Sequence, residues 1–319
     1  MVSERKVIEA RHRAPLRAPL AVRFAVVAMA LQLVWAHGAQ AQHAHHAVSS
    51  TVPGASPMAP GVDAAPPVIG VRPAQPKTGD LHYGAPVPVG NGVARTYLVL
   101  ADNGSIELGV ALSEDAMEGL PVPGDPSELV MPDGLSTFGY ELPMPSVNPT
   151  GYRHVMLDWN PGGHEPPGLY DVAHFDFHFY LIDVATRLGI DPTRPDFAER
   201  AARFPDPSLI PDRYFAPMLD AVPAMGVHWL DPASPELNGE TFSRTMLFGS
   251  WDGEVIFAEP MITREFLMSK PALTFELPSA SMSLPAGPLP SSYTVRWVPD
   301  TREYRVALHL DPATAGKPR

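Results

Sequence analysis

Proline recurs 39 times in 319 residues, more than twice its usual share of roughly 5%, so no long helix can run through this chain. Each proline fixes φ and removes a backbone donor, which suits turns, loops and edge strands. The expected fold class is mainly β: an antiparallel sheet, barrel or sandwich built from hairpins, with one short helix and long Pro-rich loops. Hydrophobic residues supply 45% of the chain, enough for a substantial core.

The hairpins can be placed from their turn signals. Residues 94–101 and 105–112 flank Asp102-Asn103-Gly104. Residues 241–249 and 254–262 flank Ser250-Trp251-Asp252-Gly253, and 292–298 and 303–310 flank Pro299-Asp300. Residues 273–277 read as a further short strand. The helix is expected over 194–204, where Pro195 opens a run with Phe197, Ala201 and Phe204 on one face. Residues 264–269 suggest a helical turn.

Residues 1–41 read as an export signal. Arg5, Lys6, Arg11, Arg13, Arg17 and Arg23 form a basic region ahead of an apolar run from Phe24 to Trp35, and Ala39-Gln40-Ala41 offers a small-x-small cleavage site. The run is shorter than the ~20 residues a spanning helix needs, which favours cleavage over an uncleaved anchor. Removing six basic and two acidic residues takes the net charge from −12 to −16. The expectation is a periplasmic or extracellular protein with no stable membrane anchor after cleavage. So acidic a chain lacks the clustered cations that nucleic acid requires. Residues 42–92 carry nine prolines, the composition of a disordered linker, and begin with His43, His45 and His46. A single β-rich domain is expected over 93–319.

The chain has no cysteine, which removes disulfides, thiolate ligands and thiol nucleophiles. The informative chemistry lies in histidine. Five of the 12 histidines fall between 154 and 228, and the densest run is His174-Phe175-Asp176-Phe177-His178-Phe179-Tyr180. Its period of two predicts a strand with Phe175, Phe177 and Phe179 in a core and His174, Asp176 and His178 on the other face. Side chains two apart on a strand are roughly 7 Å apart, while a divalent ion with bonds of about 2.1 Å needs donors within roughly 4 Å. A regular strand therefore offers one ion His174 with Asp176, or Asp176 with His178, but not both imidazoles.

Other segments carry compatible donors. His164 and Glu165 sit in the Gly/Pro-bounded loop 162–168, His228 lies between Gly226 and Trp229, and Glu259 interrupts an apolar strand. The expected metal-site residues are His164, His174, His178, His228 and Glu259 converging on one centre, with either His174 or His178 bound directly and the other hydrogen-bonding across the pocket, and with Asp176 and Glu165 as supporting partners. The cofactor expected is a divalent transition metal (Zn, Fe, Mn, Ni or Cu), held less well below the free-histidine pKa of about 6.5. No nucleophile elbow, phosphate-binding loop, dinucleotide fingerprint or His-Glu-x-x-His helix is present. Glu141, Asp158, Asp171 and Asp183 supply acids for glycoside hydrolysis, but nothing fixes their separation.

Several motifs together resemble a bacterial family of exported proteins carrying a domain of unknown function. They are Leu157-Asp158-Trp159-Asn160-Pro161-Gly162-Gly163-His164-Glu165-Pro166-Pro167-Gly168, then Tyr170, then 174–180. Met225-Gly226-Val227-His228-Trp229, Phe248-Gly249-Ser250 and Glu259-Pro260-Met261-Ile262-Thr263 follow in order. The resemblance spans about 93–270, and Ala173 stands where the pattern has proline. It implies export, a β-rich fold and homo-oligomers, and no reaction. Two functions follow as expectations. One is an exported metal-binding protein, with an enzymatic role, catalytic residues and small-molecule ligand left open. The other is a non-catalytic envelope or self-assembling protein whose histidine face is a structural polar network.

Overall fold

The computed structural model describes residues 70–75, 79–131, 134–217 and 221–311, all within one unit, Asp63–Arg319. Residues 1–41, read above as an export signal, and His43, His45 and His46 lie outside them. The chain opens with β1 (Val71–Pro73), β2 (Asp80–Tyr83), β3 (Val87–Val89), β4 (Gly92–Leu100) and β5 (Ile106–Ser113). Next come β6 (Leu129–Val130), β7 (Ser136–Pro143), β8 (His154–Asn160), β9 (His174–Tyr180), β10 (Val227–Trp229), β11 (Arg244–Trp251) and β12 (Glu254–Thr263). Three more strands close the fold: β13 (Ala272–Glu276), β14 (Ser292–Val298) and β15 (Glu303–Leu310).

These strands form two antiparallel sheets. The first runs β1-β13-β14-β15-β5-β4-β2, with β3 also paired to β4; the second runs β10-β11-β12-β9-β8-β7-β6. Alternation decides which faces meet. Leu98, Leu108, Val110, Val295, Val306 and Leu308 of the first sheet share one buried cluster with Leu157, Phe175, Phe177, Phe179, Met246 and Ile262 of the second. The mainly β reading holds, and the form is a two-layer sandwich. Burying each phenylalanine of β9 stabilises it by roughly 1.5–3 kcal/mol, which fixes the strand's register. A slip of one residue would put all three rings on the wrong face.

The three expected hairpins are present as β4–β5, β11–β12 and β14–β15. Two expectations need correction. The sheet begins well before residue 93, because β1, β2 and β3 lie inside the Pro-rich stretch expected to be linker. Their prolines are tolerated since β1 is an edge strand and β3 pairs on one side only. The expected helix over 194–204 shrinks to Phe197–Ala201. Pro195 before it and Pro205 after it bound the turn, and Asp196 makes no side-chain cap bond. The turn near 264 forms as Arg264–Met268, capped by the Thr263 hydroxyl. An unanticipated short helix, Val184–Leu188, follows β9. Among the described residues no helix is long and apolar enough to cross a membrane.

The outer face of the second sheet is not left to solvent. The segments 161–173, 181–217 and 230–243 lie over it through two smaller apolar clusters. One contains Tyr180, Val227, Trp251 and Phe257. The other contains Tyr170, Phe242, Leu247 and Met261. The polar residues of β8, β9 and β12 are buried there.

Candidate metal centre

β9 lies between β8 and β12, so its outward residues meet both neighbours. Asp158 stands opposite Asp176, and Met261 flanks Asp176 from the other side. His174, Asp176, His178, Asp158, Asn160 and Glu259 are all buried on this face. His164 arrives from the loop after β8, where it forms a bridge with Tyr170. Gly163 has a φ of +77°, and any side chain there would run into the Tyr170 backbone. This glycine lets the loop fold back far enough to aim His164 at β9.

The donors converge in two groups, not one. His164, His174 and Asp176 form the first, and His178, His228 and Glu259 the second; within each, one donor atom per residue lies within 4.8 Å of the others. The expectation of a single centre gives way, for the reason the strand spacing supplied: His174 and His178 are too far apart along β9 to share an ion. Asp176, expected behind an imidazole, stands among the converging donors. Glu165 contributes through its backbone carbonyl, 2.7 Å from His164 Nδ1, and its carboxylate belongs to neither group.

Tautomers follow from these partners. A carbonyl only accepts, so His164 Nδ1 donates to Glu165 O, and His174 Nδ1 donates to Val172 O at 2.6 Å. When neutral, both rings then turn the Nε2 lone pair inward. His164 Nε2 lies 3.3 Å from Asp176 Oδ2 and His174 Nε2 3.1 Å from Asp176 Oδ1. Asn160 Nδ2 donates to Asp176 Oδ2 at 2.7 Å and fixes the carboxylate. In the second group His178 is flanked by Asp158 at Nδ1, 3.0 Å away, and by Glu259 at Nε2, 3.2 Å away. His228 Nε2 lies 3.6 Å from Glu259 Oε2, beyond hydrogen-bond range.

Close approach here is not satisfaction. Asp158 Oδ2, Asp176 Oδ1, both His178 nitrogens and Glu259 Oε2 are buried without a hydrogen-bond partner among the described residues. Nor does any described Lys or Arg pair with Asp158, Asp176 or Glu259. Buried charge of one sign is costly unless a counter-charge meets it. Here imidazoles are the only groups facing the carboxylates that can carry positive charge.

Without an ion, protons do that work. Burial pushes His164 down, but the Asp176 charge and hydrogen bond, the Glu165 carbonyl and Glu259 outweigh it and raise the pKa to about 9. Burial likewise opposes protonation of His178, and Glu259, Asp158 and Asp176 raise it to about 9. Burial lifts Glu259 to about 8 against the pull of His178, so both groups are shifted toward their protonated forms. Burial, then the charges of His178 and His164, drive His228 down to about 3. It is neutral at pH 7, with a free lone pair. Asp176 is held well below the usual carboxylate range: His174 and His164 outweigh its burial. Access is from one side. The His164 and His228 side chains are 22% and 17% exposed, while those of Asp158, His174, Asp176, His178 and Glu259 are at most 5% exposed.

No family model, curated protein or solved structure matches this chain. The chemistry of the centre therefore rests on its own residues. Two supporting residues escaped sequence reading as such, Asp158 and Asn160. Their signal was the period-two run His154-Val155-Met156-Leu157-Asp158-Trp159-Asn160, which places them on one face.

A further buried carboxyl, Glu236, lies beside Tyr170. Burial raises the Glu236 pKa above its usual value, against a lowering hydrogen bond from Thr245 and the charge of Arg244. A carboxyl shifted upward on folding adds stability below its unfolded pKa of about 4.3 and loses it as pH rises through the folded value. Glu236→Gln should therefore raise the melting temperature at pH 8 and leave it nearly unchanged at pH 4. A fall at pH 8 would show that the charge is used.

Proposed function

We propose that the chain is an exported divalent-metal-binding protein whose centre lies on the outer face of β8, β9 and β12. The observation that carries this reading is the set of three buried carboxylates with no Lys or Arg partner, set against imidazoles whose inward nitrogens converge. Imidazole with carboxylate, and no thiolate, suits Zn, Fe, Mn, Ni or Cu(II). His178 between Asp158 and Glu259 has the arrangement in which a carboxylate orients a ligating imidazole. Each group offers three protein donors, so a bound divalent ion keeps open positions. Such an ion would lower the pKa of bound water or polarise a small substrate, and the partly exposed His164 and His228 mark where that substrate would enter. The basic stretch before Phe24 and the Ala39-Gln40-Ala41 site support export.

One observation favours a second reading, a structural polar network in an envelope or self-assembling protein. Every carboxylate of the centre lies within 3.6 Å of an imidazole nitrogen, so protonated rings can neutralise them without metal. Elemental analysis of protein purified without a His tag separates the two. At least one equivalent of a transition metal per chain is expected. Protein that carries none, and takes none up after dialysis against zinc at pH 8, supports the network.

A further inference from the structure

Resting on that reading, we propose that the centre takes two ions, one in each three-donor group, and not a single shared one. The groups have no residue in common. The imidazoles that β9 gives the two groups, His174 and His178, are four residues apart on the strand, a separation of roughly 13 Å between backbone positions. One ion cannot span that distance with bonds of about 2.1 Å. Each group also has its own unmet demand. Asp176 Oδ1 is orphaned in the first, and Glu259 Oε2 and His178 Nε2 in the second, so filling one leaves the other's lone pairs unanswered.

The support behind each group is likewise separate. Backbone carbonyls of Glu165 and Val172 orient the first pair of imidazoles, whereas Asp158 flanks His178 in the second. Each group has one partly exposed imidazole, His164 in the first and His228 in the second. The open positions of both ions therefore face solvent through these rings. With neutral imidazoles, two divalent ions against three carboxylates leave a single positive charge. Hydroxide or a small oxyanion from solvent is the class of ligand that completes it.

Zinc titration of the metal-free, tag-free chain tests this, with bound zinc measured after dialysis. Two equivalents are expected for the native protein. One equivalent is expected for His174→Ala and one for His228→Ala, and none for the double variant. Far-UV circular dichroism confirms folding, and His174→Gln and His228→Gln replace any alanine variant that aggregates. Saturation at one equivalent, abolished by either single substitution, would overturn the two-ion centre and leave the metal-binding reading standing. Zero equivalents in the native protein would instead remove the metal-binding reading itself.

Discussion

Zinc-loaded protein is expected to melt well above metal-free protein, and the gap should widen as pH rises from 6.5 to 9. At a free zinc concentration of 100 times Kd, each occupied group adds about 2.7 kcal/mol. A domain of this size gains roughly 2–4 °C per kcal/mol, so about 5–10 °C per ion follows. The pH dependence comes from two opposed effects. In metal-free protein His164, raised to about 9, contributes stability that is fully present below its unfolded pKa of about 6.5 and lost as pH passes 9. The stability that His178 and Glu259, both shifted upward, gain from their protons is lost in the same direction. Ligation requires neutral imidazole and ionised carboxylate, so each ion competes with protons held at neutral pH, and affinity falls as pH drops. The window is set by these folded values and not by free histidine, which corrects the expectation of a threshold near 6.5. Thermal melts at pH 6.5, 7.5 and 8.5 with zinc and with a chelator measure it. A gap that stays constant or closes with rising pH would contradict the proton competition.

Gly249→Ala should destabilise the fold and selectively weaken the second group. Gly249 faces Phe257 across β11 and β12 beside a bulge at Gly249 and Ser250, and a methyl there overlaps the buried Phe257 ring. That ring cannot move freely. It packs edge-on to His178 at 5.0 Å and lies 5.3 Å from both His228 and Tyr180. Overpacking of this kind costs about 1–3 kcal/mol, or roughly 2–12 °C in melting temperature, and it displaces His178 and His228, two of the three donors of the second group. Phe257→Leu on the same background should recover part of the loss, because the pair are in contact and their effects do not add. A melting temperature within about 1 °C of native would show that the ring has room.

Much of this centre was legible because burial leaves a periodic trace. The aromatic alternation of 174–180 gave the strand, its core face and its ionisable face, and Glu259 stood out as a carboxylate in an apolar run. Gly and Pro around His164 and His228 marked loops stiff enough to present a ring. Strand spacing already separated His174 from His178, but which of His164, His228 and Glu259 joins each was not legible, because it depends on which segments flank β9, a property of sheet order rather than of local pattern. Asp158 shows the difference. Its strand, β8, has the same period-two pattern as β9, but only the pairing of Asp158 with Asp176 reveals that it faces the centre. The early strands were hidden for another reason. Val71–Pro73 and Val87–Val89 lie in a Pro-rich composition that resembles linker, and edge positions alone make such strands tolerable.

The measurement that bears most directly on the account is anomalous diffraction at the zinc edge from crystals of the zinc-loaded, tag-free protein. The account predicts peaks at bonding distance, about 2.0–2.2 Å, from Nε2 of His164 and His174 with Asp176, and from His178 Nε2 with His228 and Glu259. Crystals grown in zinc that show no peak at these donors, with the imidazoles still turned onto their carboxylates, would contradict it.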